Sequence, residues 1–320
     1  MFKYLKLISK SNIEIINNKP SNSHEIAFTL AEVLITLGII GVVAALTLPP
    51  LIKNINDKEY STARKRVLST IGEAVRRQAV VGELKYANNA EDYVENYLKT
   101  QLKIIKTCDN EHLNECGIET GENQIFNLIG QKTTMPTKIS DLATGIATNG
   151  NSLKGKGDEK SYGLILQNGY SINLFYNPNC MSNISGYAQD SVCVNAIYDI
   201  NGLSKPNQVG QDIGFVSILY PGVESIALAP EILRQTPYNS MYSNNFCTNP
   251  KGYSLPTLNE AKAIYFNSKI LGFLASGYYW TKDLSGLPGN ARWLIKFNDG
   301  SLDRTGSGGS WSYVVCVGNN

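Results

Sequence analysis

The sequence predicts an α+β protein with a long N-terminal transmembrane helix that continues into an amphipathic stalk, an antiparallel β-sheet head and a small mixed α/β module at the C-terminus. Three observations lead to this fold class. An apolar run from Phe28 to Leu48 contains one charged residue, Glu32. The spacing of apolar residues changes from three or four before position 106 to two after position 161, as helices give way to strands. A capped helix and aromatic strand segments follow Cys247.

The apolar run has the length of a membrane-spanning helix. Its 21 residues would extend roughly 31 Å, which is close to the hydrocarbon thickness of a bilayer. A carboxylate within such a segment is costly unless it is paired, so Glu32 is predicted to have a function. A secretory signal peptide is disfavoured, because 27 mostly polar residues precede a core longer than the usual roughly 7–15 residues. A simple single-pass anchor is the remaining alternative.

The start of the run carries a specific motif. Residues 27–34 read A-F-T-L-A-E-V-L, and this stretch resembles the cleavage and N-methylation motif of type IV prepilins and of the pseudopilins of secretion systems. The resemblance implies that a prepilin peptidase cuts between Ala27 and Phe28 and that Phe28 becomes a methylated N-terminus. The chain departs from the family pattern at Ala27, where Gly is usual.

Together with composition, the resemblance divides the chain into four parts. They are a cytoplasmic leader at 1–27, a transmembrane and stalk helix at 28–86, a pilin-like globular head at 87–239 and a disulfide-closed module at 240–320. The expected partners are the prepilin peptidase, other pilin or pseudopilin subunits and an inner-membrane assembly platform. The expected location is the bacterial inner membrane, single-pass with the head outside the cytoplasm, and an extracellular filament after assembly.

The basic residues after the apolar run conflict with this orientation. Lys53, Lys58, Arg64, Lys65 and Arg66 follow it closely, and the positive-inside rule alone would place the head in the cytoplasm. We favour the external head, because the prepilin motif implies dedicated leader recognition and because the head contains six cysteines.

Two features of the first helix are predicted to serve assembly. After cleavage, the α-ammonium group of Phe28 and the carboxylate of Glu32 on a neighbouring subunit would offset each other's cost in an apolar environment. Pro49 and Pro50 predict a kink or short break, since proline removes a backbone hydrogen bond. In pilins a proline at this distance bends the helix, so the resemblance implies an assembly role for Pro49. Ordinary helix termination is the alternative.

Periodicity predicts the elements that follow. A stripe at three- and four-residue steps indicates an amphipathic helix to about Leu84, formed by Ile52, Ile55, Tyr60, Ala63, Val67, Ile71, Ala74, Val75 and Gln78. A second helix is predicted at 90–106. Alternation around Asn168-Gly169 predicts a hairpin at 161–176 with a type I′ turn, and further strands are predicted at 192–200 and 214–219.

The cysteine pattern favours disulfides over zinc, because no C-x-x-C pair is present. Sequence alone leaves all connectivities open. Closure between near neighbours favours one arrangement as a hypothesis, and a Cys116–Cys180 bond would overturn it. In this arrangement the three disulfides are Cys108–Cys116, Cys180–Cys193 and Cys247–Cys316.

The segment from Asp199 to Asp212 resembles a D-x-N-G-x-x-x-P-N-x-x-G-x-D loop common in pilin-like heads. Oxygen ligands from Asp199, Asn201 and Asp212 would suit Ca²⁺, although full EF-hand spacing is absent. The alternative is a turn held by Asn and Asp side chains that bind backbone amides. No other cofactor is expected.

The C-terminal module begins with a capping box at Thr257 and Glu260, which predicts a helix at 257–266. After Cys247 the module contains, in this order, L-P-T-x-x-E at 255–260, Y-W-T at 279–281, W-x-x-x-F-x-x-G at 293–300 and V-x-C-V at 314–317. This order is similar to that of small C-type-lectin-like domains at the C-termini of bacterial adhesins. This similarity makes Trp280, Trp293 and Trp311 a candidate platform for a glycan or surface ligand. Ordinary core packing of these rings is the alternative.

Composition excludes several functions. The net charge of +2 from 29 basic and 27 acidic residues does not suggest nucleic-acid binding. The chain has two histidines, His24 and His112, and neither has the partners of a catalytic set, so an enzyme is not expected. Three hypotheses follow: a filament subunit, which is favoured and is minor given the two-part head; an adhesin at a filament tip or on the membrane; and a plain membrane-anchored domain.

Overall fold

The computed structural model describes residues 29–81, 87–142, 160–177, 192–219, 222–225, 227–228, 234–236, 247, 252–272, 277–286, 291–298, 300–304 and 312–318. The chain divides into two units, with the boundary between Asn54 and Ile55. The predicted α+β class is observed, with an N-terminal apolar helix and antiparallel sheets. The leader and the Ala27–Phe28 cleavage position lie outside the described residues.

The first helix, α1, runs from Leu30 to Val81. Its segment Leu30–Pro49 has a mean hydropathy of 2.3, and none of this segment is buried within the protein. Within the described part of the chain, it is the one helical segment long and apolar enough to cross a membrane.

Helix α1 continues through Pro49 and Pro50. The predicted short break and the alternative of helix termination are therefore both wrong, and the predicted kink stays a prediction. Each proline lacks the N–H that would bond to the preceding turn and costs roughly 3 kcal/mol inside a helix. The cooperative hydrogen bonding of the long helical stretches on either side compensates for this local cost, so the helix continues.

Burial confirms the head-facing stripe of α1 from Ala63 to Gln78, whereas Tyr60 is half-buried and the side chains of Ile52 and Ile55 lie outside the described part of the chain. Its buried members are Ala63, Val67, Ile71, Ala74, Val75 and Gln78. Most of them share a core cluster with Tyr93, Val94 and Leu98. The Tyr93 hydroxyl donates a 2.5 Å hydrogen bond to Oε1 of Gln78, so the buried polar group in the stripe has a partner in the head.

The second predicted helix is shorter than expected. It consists of an α-helical turn, α2 (Ala90–Asp92), a π-helical turn at Tyr93–Tyr97 and a 3₁₀ turn at Leu98–Thr100. Strand β1 then occupies Ile104–Cys108, so the prediction of a helix to position 106 is wrong. The β-branched Ile104 favours a strand, and pairing with the head sheet decides the outcome.

The head contains a six-stranded antiparallel sheet of order β1-β4-β5-β6-β7-β8. The other five strands are β4 (Tyr162–Leu166), β5 (Ser171–Tyr176), β6 (Val192–Asp199), β7 (Ile213–Leu219) and β8 (Gly222–Ser225). The predicted strands at 161–176, 192–200 and 214–219 are confirmed. A separate two-stranded ribbon pairs β2 (Ile125–Phe126) with β3 (Lys132–Thr133), and 3₁₀ turns occupy Leu113–Cys116 and Ile139–Asp141.

The turn between β4 and β5 differs from the predicted type I′ turn. Gly169 has φ +84°, whereas Asn168 is not among the described residues with positive φ. The Leu166 amide donates to the Tyr170 carbonyl at 3.0 Å and the Gly169 amide to the Leu166 carbonyl at 2.8 Å, which gives a three-residue connection. A single glycine in the left-handed region suits such a turn.

The remaining strands form two smaller sheets. A five-stranded sheet has the order β10-β15-β12-β13-β14, and a three-stranded sheet has the order β11-β16-β9. Their bounds are β9 (Ala227–Leu228), β10 (Arg234–Thr236), β11 (Tyr253–Ser254), β12 (Tyr278–Leu284), β13 (Arg292–Lys296), β14 (Leu302–Arg304), β15 (Ser312–Val314) and β16 (Val317–Gly318). Strands β9 and β10, which precede position 240, thus pair with strands that follow it.

Helix α3 (Leu258–Phe266) begins at the predicted capping box. The Thr257 amide donates to Glu260 Oε2 at 2.6 Å, and the Glu260 amide donates to Thr257 Oγ1 at 3.0 Å. A short helix, α4 (Ser268–Leu271), follows and ends at Gly272, which has φ +80°.

Two predicted disulfides are present, Cys108–Cys116 and Cys247–Cys316. Cys193 is also disulfide-bonded, and its predicted partner, Cys180, lies outside the described residues. The Cys247–Cys316 bond closes a loop of 69 residues and is surrounded by buried side chains.

One core joins the six-stranded sheet to the C-terminal region. It includes Phe175 and Ile197 from the sheet together with Ile264 and Phe297 from later elements. A buried polar contact crosses the same junction, since Asn195 and Asn267 exchange amide hydrogen bonds of 2.9 and 3.0 Å. The Ser217 hydroxyl donates to Asn195 Oδ1 at 2.6 Å. Residues 55–320 accordingly form one compact unit.

The shared core predicts that the head and the C-terminal region unfold together. Ile264→Ala in α3 should lower the free energy of unfolding by about 2–5 kcal/mol, because it removes buried methyl groups. Chemical denaturation of the full chain should show equal shifts of the tryptophan fluorescence midpoint, which reports positions 280, 293 and 311, and of the far-ultraviolet circular dichroism midpoint. Asn259→Ala, at a partly exposed position of α3, should change stability by less than about 0.5 kcal/mol. A shift confined to fluorescence would contradict the shared core.

Candidate functional site

The N-terminus of α1 is organised by Thr29 and Glu32. The first helical hydrogen bond runs from the Val33 amide to the Thr29 carbonyl at 3.2 Å, which makes Thr29 the N-cap. Glu32 Oε2 accepts from the Thr29 amide at 2.9 Å and from the Thr29 hydroxyl at 3.0 Å. The Glu32 amide donates to Thr29 Oγ1 at 3.2 Å. These contacts form a capping box.

The capping box was missed in the sequence analysis, although the T-x-x-E spacing at 29–32 is its usual signal. It means that the Glu32 carboxylate has hydrogen-bond partners within its own chain. Its negative charge also lies at the positive end of the helix dipole. The carboxylate is exposed, so the capping box leaves it accessible to a cation.

The rest of this segment presents exposed apolar side chains. The large ones are Leu30, Val33, Leu34, Ile35, Leu37, Ile39, Ile40, Val42, Val43, Leu46 and Leu48. Gly38 and Gly41 have no atoms within 4 Å of an added Cβ, so this part of the helix is open to a close neighbour. Exposed apolar surface of this extent is typical of a segment that contacts a membrane or another protein.

A second candidate site lies in the loop between β6 and β7. Asp199 ends β6, and Asp212 immediately precedes β7. The two strands bring them together, because Asp199 pairs with Ile213 and the Ile200 amide donates to the Asp212 carbonyl at 3.2 Å. Both aspartates are buried. The structure thus brings together the predicted residues Asp199, Asn201 and Asp212 around one loop.

Asp212 holds the loop by accepting backbone hydrogen bonds. Its carboxylate accepts from the amides of Asn207 at 2.8 Å, Gln208 at 2.7 Å and Ile213 at 3.1 Å. This is the geometry expected from the alternative of a turn held by side chains. Asp212 therefore has a structural role.

Asp199 is different. Its Oδ1 accepts from the Asn201 amide at 3.0 Å, and no ion pair to it is present among the described residues. Burial and, to a lesser degree, the nearby Asp212 raise the pKa of Asp199 to about 8. Two amide oxygens of the same loop, Oδ1 of Asn201 and Oδ1 of Asn207, are buried without a hydrogen-bond partner. The loop thus contains two buried amide oxygens without a hydrogen-bond partner beside a buried carboxyl group.

These oxygens fit the chemistry of Ca²⁺, which prefers carboxylate and amide oxygens. The described residues contain no cluster of three His, Cys, Asp or Glu side chains that would hold a metal. A calcium ion here would therefore depend on two carboxylates together with amide and backbone carbonyl oxygens.

The stalk helix contacts this loop through Arg64. Its guanidinium donates a 2.7 Å hydrogen bond to the Gly210 carbonyl and also hydrogen-bonds the Tyr198 side chain. Burial raises the pKa of Tyr198 to about 12. The loop conformation is thereby tied to α1.

The predicted tryptophan platform is not formed as expected. Trp280 is fully buried in a cluster with Cys247, Leu294 and Cys316, so the prediction that its ring stacks on a ligand is wrong. Trp293 is half-buried, with the guanidinium carbon of Arg304 4.7 Å from its ring centre. Trp311 lies outside the described residues.

The structure places Glu32 at a helix cap. It places Asp199, Asn201 and Asp212 around the loop between β6 and β7. Pro49 is exposed and lies within a continuous helix. No family model and no curated protein matches this chain.

Proposed function

We propose that the chain is a structural subunit, a minor pilin or pseudopilin, of a type IV pilus, a type II secretion system or a related filament. The observation that carries the proposal is the exposed apolar segment Leu30–Pro49, which has an exposed carboxylate, Glu32, near its N-terminus. The prepilin-like motif at 27–34 supports it. On this proposal a prepilin peptidase cuts after Ala27 in the inner membrane, and the chain joins other subunits on an assembly platform.

The physical basis of assembly is charge pairing in an apolar environment. Cleavage would create an α-ammonium group on Phe28, directly before the N-cap Thr29. The carboxylate of Glu32 on a neighbouring subunit would then gain an ionic partner, and pairing would reduce the cost of keeping either charge away from water. The intrachain capping box holds the carboxylate at the helix N-terminus. The Glu32 side chain therefore loses less conformational entropy when a partner subunit binds.

The apolar surface supplies the remaining attraction. Helices in an apolar environment associate through close packing, and small residues such as Gly38 and Gly41 allow their backbones to approach. The stripe from Ala63 to Gln78 is already buried in the head, whereas the segment Leu30–Pro49 is exposed. Filament contacts through the exposed segment therefore do not require the head to open.

Substitutions at the helix start separate charge pairing from helix capping. Glu32→Gln retains a capping side chain but removes the charge, and we expect it to insert and be cleaved normally while filament incorporation falls at least about tenfold. Glu32→Val should show the same loss. Thr29→Val, which removes the N-cap hydroxyl and keeps the charge, is the matched control and should incorporate at close to the wild-type level.

The measurements are the N-terminal sequence of the membrane-extracted protein and the amount of the chain in sheared filaments. Full incorporation of Glu32→Gln together with loss in Thr29→Val would show that capping is what matters, and the pairing mechanism would then be abandoned. A mature N-terminus at Met1 would contradict the filament proposal itself and leave a tethered ectodomain.

We also propose a calcium-binding role for the β6–β7 loop, favoured by the buried carboxyl group of Asp199 and by the amide oxygens of Asn201 and Asn207 that have no hydrogen-bond partner. Asp212 would supply charge, Asp199 would do so once calcium displaced its proton, and the amide oxygens would complete part of the coordination. The bound ion would neutralise the buried carboxylates and stabilise the loop that contacts Arg64.

Thermal unfolding tests this role. Calcium at about 100 times its Kd should stabilise the full chain by about 2.7 kcal/mol relative to chelator-treated protein. Asp199→Asn should abolish this increment, whereas Asp303→Asn, at an exposed position of β14, should retain it. An equal calcium effect in the two variants, or no effect in the wild type, would contradict calcium binding by this loop. Asp212 would then have only its structural role.

A further inference from the structure

A basic groove lies between helix α1 and the head. Its volume is about 560 Å³, and two cations on one face of α1, Lys58 and Arg66, line it with Thr62 between them. The spacing of four residues places these three side chains on the same face. The other lining residues are Glu59, Tyr60, Ala63, Tyr170, Ile200 and Asn201.

The lining of this groove contains two basic residues and one acidic residue, Glu59, so its net charge is positive. Neither Lys58 nor Arg66 forms an ion pair with a described residue, and both side chains are exposed. Residues 58–77 of α1 contain six basic and two acidic residues, so the surroundings of the groove are also positive. They include four of the five basic residues that conflict with the predicted orientation of the head, namely Lys58, Arg64, Lys65 and Arg66.

A surface of opposite charge lies elsewhere on the same chain. Residues 109–122 contain five acidic residues and no lysine or arginine. The acidic residues are Asp109, Glu111, Glu115, Glu119 and Glu122. We call residues 109–122 the acidic segment.

The acidic segment is held in a defined shape. The Cys108–Cys116 disulfide closes its first half, and a 3₁₀ turn at Leu113–Cys116 keeps Leu113 and Cys116 buried while Glu115 remains exposed. Glu115 pairs with Lys106 at 2.9 Å, and Glu111 contacts Lys160 at 3.4 Å. Glu122 has no ion pair among the described residues. The His112 ring contacts Asp109 Oδ1 at 2.7 Å, and this hydrogen bond raises the pKa of His112. Two lysines and the protonated form of His112 therefore offset part of the negative charge, and the segment as a whole remains negative.

We propose that the acidic segment of one copy docks against the basic groove of a neighbouring copy. The inference rests on the proposed filament function and identifies a contact between heads. Because the two surfaces differ, the contact is heterologous and joins two copies head-to-tail. Complementary charge would orient the subunits before the apolar helices pack. The basic residues after the apolar run thereby acquire a role in assembly.

A charge-swap experiment on the full chain tests the proposal. Lys58→Glu/Arg66→Glu reverses the groove, and Glu111→Lys/Glu122→Lys reverses the acidic segment. Self-association in neutral detergent micelles, measured by sedimentation, should weaken at least about tenfold for each double variant alone. An equimolar mixture of the two should recover association to within about threefold of wild type, because the reversed groove then faces the reversed segment.

Lys282→Glu, an exposed reversal in the C-terminal region, is the matched control and should associate as wild type does. Raising the salt from about 50 to about 500 mM should weaken wild-type association, since exposed charges are screened. A second readout is a disulfide between a Thr62→Cys chain and an Asn114→Cys chain, formed under mild oxidation when the two are mixed.

Failure of the mixture to recover association, or salt-independent association, would overturn the docking contact even if filaments form normally. If groove reversal instead changed only binding to anionic lipid nanodiscs, the groove would be a lipid headgroup site and the proposal would also fail. Absence of cleavage before Phe28 would contradict the proposed filament function. It would not affect the micelle measurement, because the acidic segment and the groove both lie after position 54.

Discussion

The six-stranded sheet must be covered on both faces, and this constraint organises the head. Ile172 and Leu174 of β5 pack in the core that includes α1, whereas Phe175 packs in the core that includes α3. Strand β6 repeats the arrangement with Ala196 and Ile197. Because alternate side chains of a strand point to opposite faces, two apolar faces require two covering layers. The stalk helix is one layer, and the C-terminal elements are the other.

This arrangement explains why the C-terminal region is bound to the head. A buried pair of amides, Asn195 and Asn267, satisfies its hydrogen bonds only when the two layers are together. Unpaired amides in this core would be costly, so the contact selects one docking geometry. The tryptophan at position 280 belongs to this packed structure. A ligand surface on this region would have to use other side chains.

The N-terminal helix depends on a different balance. Its capping box satisfies the first backbone amides and holds Glu32 in place, whereas its apolar side chains have no cover within the protein. The chain thus joins a head with a complete core to a helix segment that needs an apolar environment. In the proposed filament, other subunits provide that environment, and the charge of Glu32 and the opposed head surfaces would order them.

The sequence by itself determined the elements whose signals are local. The apolar run before Pro49, the stripe from Ala63 to Gln78 and the cap at Thr257 follow from composition and spacing, and each is present. The tertiary structure decided the features that depend on distant partners. Ile104 lies in a strand because it pairs with β4, and Pro49 lies within a helix that continues past it. Trp280 is buried by packing against residues distant in sequence. Asp199 and Asp212 were recognisable as a loop motif, but only the pairing of β6 with β7 placed both carboxylates in one buried site, because burial and proximity are set by the whole fold.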